Sequence, residues 1–144
     1  MADAQVFFEL LDKPDRIEGV AKLLLRRGRL KPPVLILCPD QGFAAKLDER
    51  LWMIHPESFL AHAVATPNAQ ANAAQPILLA TDIIHDNGPE VLINGGLEVP
   101  IDVSGFKHIV DFVDGWDESL KQAARDRFRT YRQMGLNPTY LGKK

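Results

Sequence analysis

One cysteine, Cys38, stands in the whole chain, so no intrachain disulfide can form. No apolar run approaches the roughly 20 residues that a membrane-spanning helix requires. The segment MADAQVFFELLDK carries acids where a secretory signal would carry lysine or arginine, and a cytoplasmic location is the expectation. Positive charge is not in excess: 17 Lys and Arg face 19 Asp and Glu, for a net charge of -2. That balance argues against a protein that coats nucleic acid through a general positive field, so any basic site must be local. Phosphate-binding signatures are missing too. No G-x-G-x-x-G follows the first apolar run, no G-x-x-x-x-G-K-[ST] occurs, and Gly42 by itself fits helix-start chemistry better than an anion site. The four histidines, His55, His62, His85 and His108, have no partner at metal-ligand spacing on a common element, so neither a metal nor another cofactor is expected. Cys38 lies inside an apolar run, where a thiol behaves as a small buried hydrophobe. Asp82, Asp86, Asp102, Asp111 and Asp114 lie mostly at expected strand ends or in loops, where capping and solvation account for them. No catalytic set emerges.

The length of 144 residues, with 46% hydrophobic and 25% charged residues, fits one globular domain over 1–144. AQVFFEL (Ala4 to Leu10) reads as a buried strand, and Asp15 can cap a helix from Arg16 to Arg29 whose apolar positions recur at three and four. PPVLILCP reads as a central strand and QGFAAKLDERLW as a second helix. HPESFLAHAV is ambiguous, and ATPNAQANAAQ reads as an exposed loop. PILLATD and EVLINGG are strands separated by a turn at Asn87-Gly88-Pro89, FKHIVDFVDG is another strand, and a basic helix closes the domain. Strands that alternate with helices imply an α/β fold, a mostly parallel sheet with helices on both faces.

The closing helix, in DESLKQAARDRFRTYRQMG, carries more positive charge than solubility requires. With Lys121 at zero on a helical wheel, Arg132, Arg125 and Arg129 fall at roughly 20°, 40° and 80°. The arc from roughly 200° to 340° holds Leu120, Ala123, Ala124, Phe128, Tyr131 and Met134. Phe128 lies at the edge of that arc, beside a cation strip that holds no acid. The strip is either a solvated face balanced by Asp117, Glu118 and Asp126, or a site for an acidic ligand with a hydrophobic end. Arg127 breaks the pattern, since it falls within the apolar arc, and pairing with Asp111 or Asp114 is expected. In LDERLWMIHPESF, Trp52 and Phe59 are either core residues or anchors for a partner protein.

LDERLW and PESF, together with VDFVDGWDESLKQAARDRFRTYR, resemble the chi subunit of bacterial DNA polymerase III holoenzyme, and the order of elements is similar from about Gln5 to Asn137. VDGWDES is one residue longer than the family pattern, which leaves the direction of Trp116 open, and the ending GLNPTYLGKK departs from it, which leaves Tyr140 and Leu141 open. The resemblance implies a Rossmann-like three-layer fold without a phosphate-binding loop. It implies a non-catalytic accessory of the clamp-loader complex, one surface of which binds the psi subunit. Another surface binds the acidic, phenylalanine-terminated tail of single-stranded DNA-binding protein. Carried onto this chain, the tail site comprises Lys121, Arg125, Phe128, Arg129 and Val113, with Arg132 extending the strip. The psi-facing surface maps to Trp52 and Phe59, which a helicase could use instead. On this reading nucleic acid is contacted only indirectly and no membrane is involved. Two rivals from other classes are a direct nucleic-acid binder that uses the same basic helix, and a degenerate nucleotide-binding enzyme with an anion site at Gln41 to Phe43.

Overall fold

A computed structural model describes residues 4–11, 13–27, 33–53 and 61–140. Among the described residues, seven strands form one sheet: β1 (Gln5–Leu11), β2 (Val34–Leu37), β3 (His62–Val64), β4 (Ile77–Ala80), β5 (Val91–Asn94), β6 (His108–Asp114) and β7 (Asn137–Tyr140). Their order across the sheet is β3-β4-β2-β5-β6-β1-β7, and every neighbouring pair is parallel. The helices are α1 (Arg16–Arg27), α2 (Gln41–Met53), α3 (Ala69–Ala73) and α4 (Glu118–Gln133).

Central strands of a parallel sheet are covered on both faces and so read as unbroken apolar runs. VLIL, ILLA and VLIN are such runs, and their alternating side chains divide between two cores. Val34, Ile36, Leu79, Ile93 and Phe112 pack with Val20, Leu24, Leu47 and Leu51 of α1 and α2. Val6, Phe8, Leu35, Leu78, Leu92 and Ile109 point to the other face, where Ala124 and Tyr131 of α4 meet them. The result is the expected three-layer arrangement.

Short polar side chains set the helix starts. Asp15 Oδ1 accepts from the Glu18 amide at 3.0 Å, and Asp40 Oδ1 accepts from the Phe43 amide at 2.8 Å. The amides that a phosphate would need at Gln41 to Phe43 are therefore engaged in part by the protein's own carboxylate. Asp117 caps α4 by accepting from Leu120 N at 2.9 Å. At its far end Gly135 takes φ +87°, a conformation that favours glycine, and Leu136 N returns to Tyr131 O at 3.1 Å.

Three local expectations change. The stretch expected as an exposed loop contains α3, capped by Asn68 and anchored by buried Asn72, whose side chain bonds Thr66 and Asp86. α4 does not close the domain, because NPTY adds β7 beside β1, with its proline on an edge strand where a missing N–H is tolerated. Asp111 and Asp114 are not solvated. Both are fully buried, and each meets an arginine.

The Asp111 carboxylate accepts from Arg127 Nε at 3.2 Å on each oxygen, from Tyr131 Oη at 2.8 Å, from Asn94 Nδ2 at 3.1 Å and from the Phe112 amide at 2.7 Å. Arg127 also donates to Phe112 O and Leu97 O. Burial and the adjacent Asp111 charge push the Tyr131 phenol well above its ordinary range, so it stays a donor. The expected pairing of Arg127 with a buried acid is thus found, at Asp111. Removing one partner of a buried pair leaves an uncompensated charge. Asp111→Asn should therefore lower unfolding free energy by about 3 kcal/mol in denaturant titration. Asp111→Leu combined with Arg127→Met should lose clearly less than the sum of the two single changes. Simple additivity would contradict the coupling.

Candidate functional site

On the α4 face, near the β7 edge, lies a cavity of about 450 Å³ lined by Phe8, Val113, Lys121, Ala124, Arg125, Phe128, Arg129 and Tyr140. Five of the six residues expected there, Val113, Lys121, Arg125, Phe128 and Arg129, come together. Spacing explains this: Lys121, Arg125 and Arg129 are four apart and stand along one edge of α4, while Ala124 and Phe128 are turned toward the sheet. The floor is apolar. The Phe8 ring lies 5.4 Å from the Phe128 ring and 5.8 Å from that of Tyr131.

Arg132 is not among the lining residues. Its guanidinium lies over the Phe128 ring, 5.2 Å from the centroid, so it braces that ring. Nor are the cations isolated from acids, because the residues that face them lie three positions away along the helix. Lys121 Nζ meets Glu118 Oε2 at 3.0 Å, Arg129 pairs with Asp126, and Arg125 donates to Gln122 Oε1 at 3.0 Å. The bond from Lys121 is the main cause that holds the Glu118 carboxyl below its ordinary value. Such exposed pairs are worth little in water. Phe8 and Tyr140 were not assigned to the site from the sequence. They reach it through strand pairing between the two ends of the chain, in the β1 to β7 register that sets Phe8 beside Tyr140.

A second exposed aromatic stands elsewhere. Trp52, at the end of α2, is 53% exposed and Met53 beside it 63%. The Trp52 ring lies 4.6 Å from that of buried His62, whose Nε2 is 3.2 Å from Asp48 Oδ1. α2 packs beside β3 and β4, whereas α4 packs beside β6 and β7 on the other face. The two surfaces therefore lie toward opposite edges and on opposite faces of the sheet. Phe59 and Leu141 lie outside the described residues.

These features define a class: a parallel α/β domain that presents a cation-rimmed apolar pocket at one sheet edge. The family model for DNA polymerase III chi subunit, HolC, matches residues 3–139. The DNA polymerase III subunit chi of Pseudomonas aeruginosa is 32% identical over 86% of this chain and 84% of its own length, and that of Escherichia coli K12 is 33% identical over 90% and 92%. The chain belongs to the DNA polymerase III chi subunit family. Among solved structures, the C-terminal domain of the DEAD-box protein Dbp5 is similar with a TM-score of 0.63 over 96% of this chain and 91% of that one. At 10% identity, that likeness concerns the fold alone.

Cys38 is 1% exposed, and burial pushes its thiol up to about 12. Thiolate is the reactive form, so at pH 8 the folded chain should hold about a thousandfold less of it than an unfolded chain with a thiol near 9.0. Labelling with a thiol reagent should be correspondingly slow until denaturant is added. Rapid labelling of the native chain would contradict this burial.

Proposed function

We propose that the chain is a non-catalytic accessory subunit of the clamp-loader complex of DNA polymerase III. It joins the psi subunit to the acidic C-terminal tail of single-stranded DNA-binding protein, as one unit over 1–144 in the cytoplasm. The observation that carries this reading is the pocket: an apolar floor of Phe8, Val113, Ala124 and Phe128 with Lys121, Arg125 and Arg129 along one rim. A peptide that ends in phenylalanine offers a ring for that floor, and a terminal carboxylate that a guanidinium can hold by a two-point fork. Its preceding acids extend along the cations. Charge steers the encounter and burial of the ring supplies affinity. Arg132 contributes by holding Phe128 in place and by adding to the positive field.

Trp52 supports the second half of the reading, since a large, exposed ring is a common anchor for a partner protein. Phe59 belongs to the same proposed psi-facing surface. Separation of the two surfaces lets both partners be held at once, which an adaptor needs. A direct role in nucleic-acid binding is less well supported, because the cations are few, flanked by acids and set in a chain of net charge -2.

Calorimetric titration with the tail peptide, beside one that lacks the final phenylalanine, tests the proposal. The intact peptide should bind and be weakened by salt, and the shortened one should not bind measurably. Arg125→Ala should weaken binding by about 1.5–3 kcal/mol, while Trp52→Ala should leave it unchanged and impair docking of psi. Equal binding of both peptides, or no effect of Arg125→Ala, would contradict the assignment. Glu118→Gln with Asp126→Asn should tighten the peptide by about 0.3–0.5 kcal/mol per site, because each removes an intrahelical competitor.

A further inference from the structure

Arg16 opens α1 and reaches across the carboxyl ends of β5 and β6. Its Nη1 donates to Asp114 Oδ2 at 2.7 Å, its Nε to Gly95 O at 3.1 Å and its Nη2 to Gly96 O at 2.9 Å. The guanidinium lies 5.5 Å from the centroid of the Phe112 ring. It thereby holds the start of the 95–101 loop against the sheet. Gly95 is needed there, since a Cβ would stand 2.9 Å from Leu37 O and 3.2 Å from the Phe43 ring.

Around this strap the surface is apolar where water would favour polar groups. Ile101 is 98% exposed, and Leu97 and Trp116 are each 44% exposed. With Phe43 they line two clefts, of about 630 and 310 Å³, that share Arg16, Phe43 and Leu97 and so adjoin. Clustered exposed hydrophobic side chains mark interaction surfaces more often than isolated ones do.

The charge around these clefts has the opposite sign from the α4 pocket. Among the described lining residues, Asp15, Glu98 and Asp114 are the carboxylates and Arg16 is the cation. The bonds of Arg16 all run inward, to Asp114 and the two glycine carbonyls. Asp114 lines the smaller cleft, and its Oδ1 is buried with no hydrogen-bond partner among the described residues. Trp116, just before the α4 cap, presents a ring on which a cation can rest.

We infer that this crest is a docking surface for a partner-protein segment that carries lysine or arginine between apolar side chains. Leu97, Ile101 and Phe43 receive the apolar groups, and Trp116 with Asp15 and Glu98 receives the cations. Among the described residues the clefts share no lining residue with the α4 pocket and do not include Trp52, so their occupant is additional to the two partners proposed above.

The test uses the full-length 15N-labelled chain and two synthetic amphipathic peptides of equal length, one built from leucine and lysine, the other with glutamate in place of lysine. The lysine peptide should shift the Trp116 indole resonance and the amides of Gly95, Leu97 and Ile101, and the glutamate peptide should leave them in place. Ile101 is almost fully exposed, so Ile101→Lys should fold normally and weaken the lysine peptide by about tenfold. Equal shifts with both peptides, shifts confined to other residues, or no shift would overturn the inference. So would concentration-dependent self-association in sedimentation that Ile101→Lys abolishes, since the crest would then bind a second copy of this chain.

Discussion

The carboxylate of Asp111, sealed beneath α4, is the constraint on which the arrangement of the α4 pocket depends. A buried charge is costly unless hydrogen bonds compensate it, and here they come from Arg127, Tyr131, Asn94 and a main-chain amide. Two of these donors stand on α4, four residues apart, and the acceptor stands in mid-strand. Rotating the helix or sliding it by a residue would break both contacts at once. The rotation that satisfies Asp111 also turns Ala124 and Phe128 toward β1 and β6 and leaves Lys121, Arg125 and Arg129 along the solvent edge. Asn94 and the Leu97 carbonyl extend the same network to the 95–101 loop. One polar cluster therefore positions both the cationic pocket and the base of the acidic crest.

Charge segregation on a nearly neutral chain follows from this architecture. Asp15, Glu98 and Asp114 stand around the carboxyl ends of the strands, whereas Lys121, Arg125 and Arg129 stand along the edge of α4, so side chains of opposite sign are displayed at different places. Screening in physiological salt limits their mutual influence to about 8 Å. Local charge can then differ sharply from the net charge of -2.

Much of the fold was legible because burial on two faces leaves strong apolar runs, and because α1, α2 and α4 carry regular spacing and polar caps. The pocket was legible in the part that α4 contributes, since residues four apart in a helix must share a face. Arg127 was informative because it violated that periodicity, and the violation pointed to a buried acid. What stayed hidden depends on contacts distant in sequence. β7 is four residues with a proline, and it becomes a strand only because β1 supplies its hydrogen bonds. Phe8 looks like any core aromatic until α4 is laid over it. α3 is a single short helix in an alanine-rich stretch, stabilised by the bonds of Asn72 rather than by an amphipathic pattern. Asp114 resembled a strand-end acid, and only the crossing of α1 brings Arg16 to it.

On the proposed function, the ring of a terminal phenylalanine occupies the space between α4 and the sheet. Contacts between the protons of that ring, in a labelled tail peptide, and the methyl groups of Val113 and Ala124 would measure this directly by intermolecular nuclear Overhauser effects. Cross-peaks to both residues are predicted, and they should vanish when the terminal phenylalanine is replaced by alanine. Cross-peaks from the ring to methyl groups elsewhere, such as those of Leu97 or Ile101, would contradict the account.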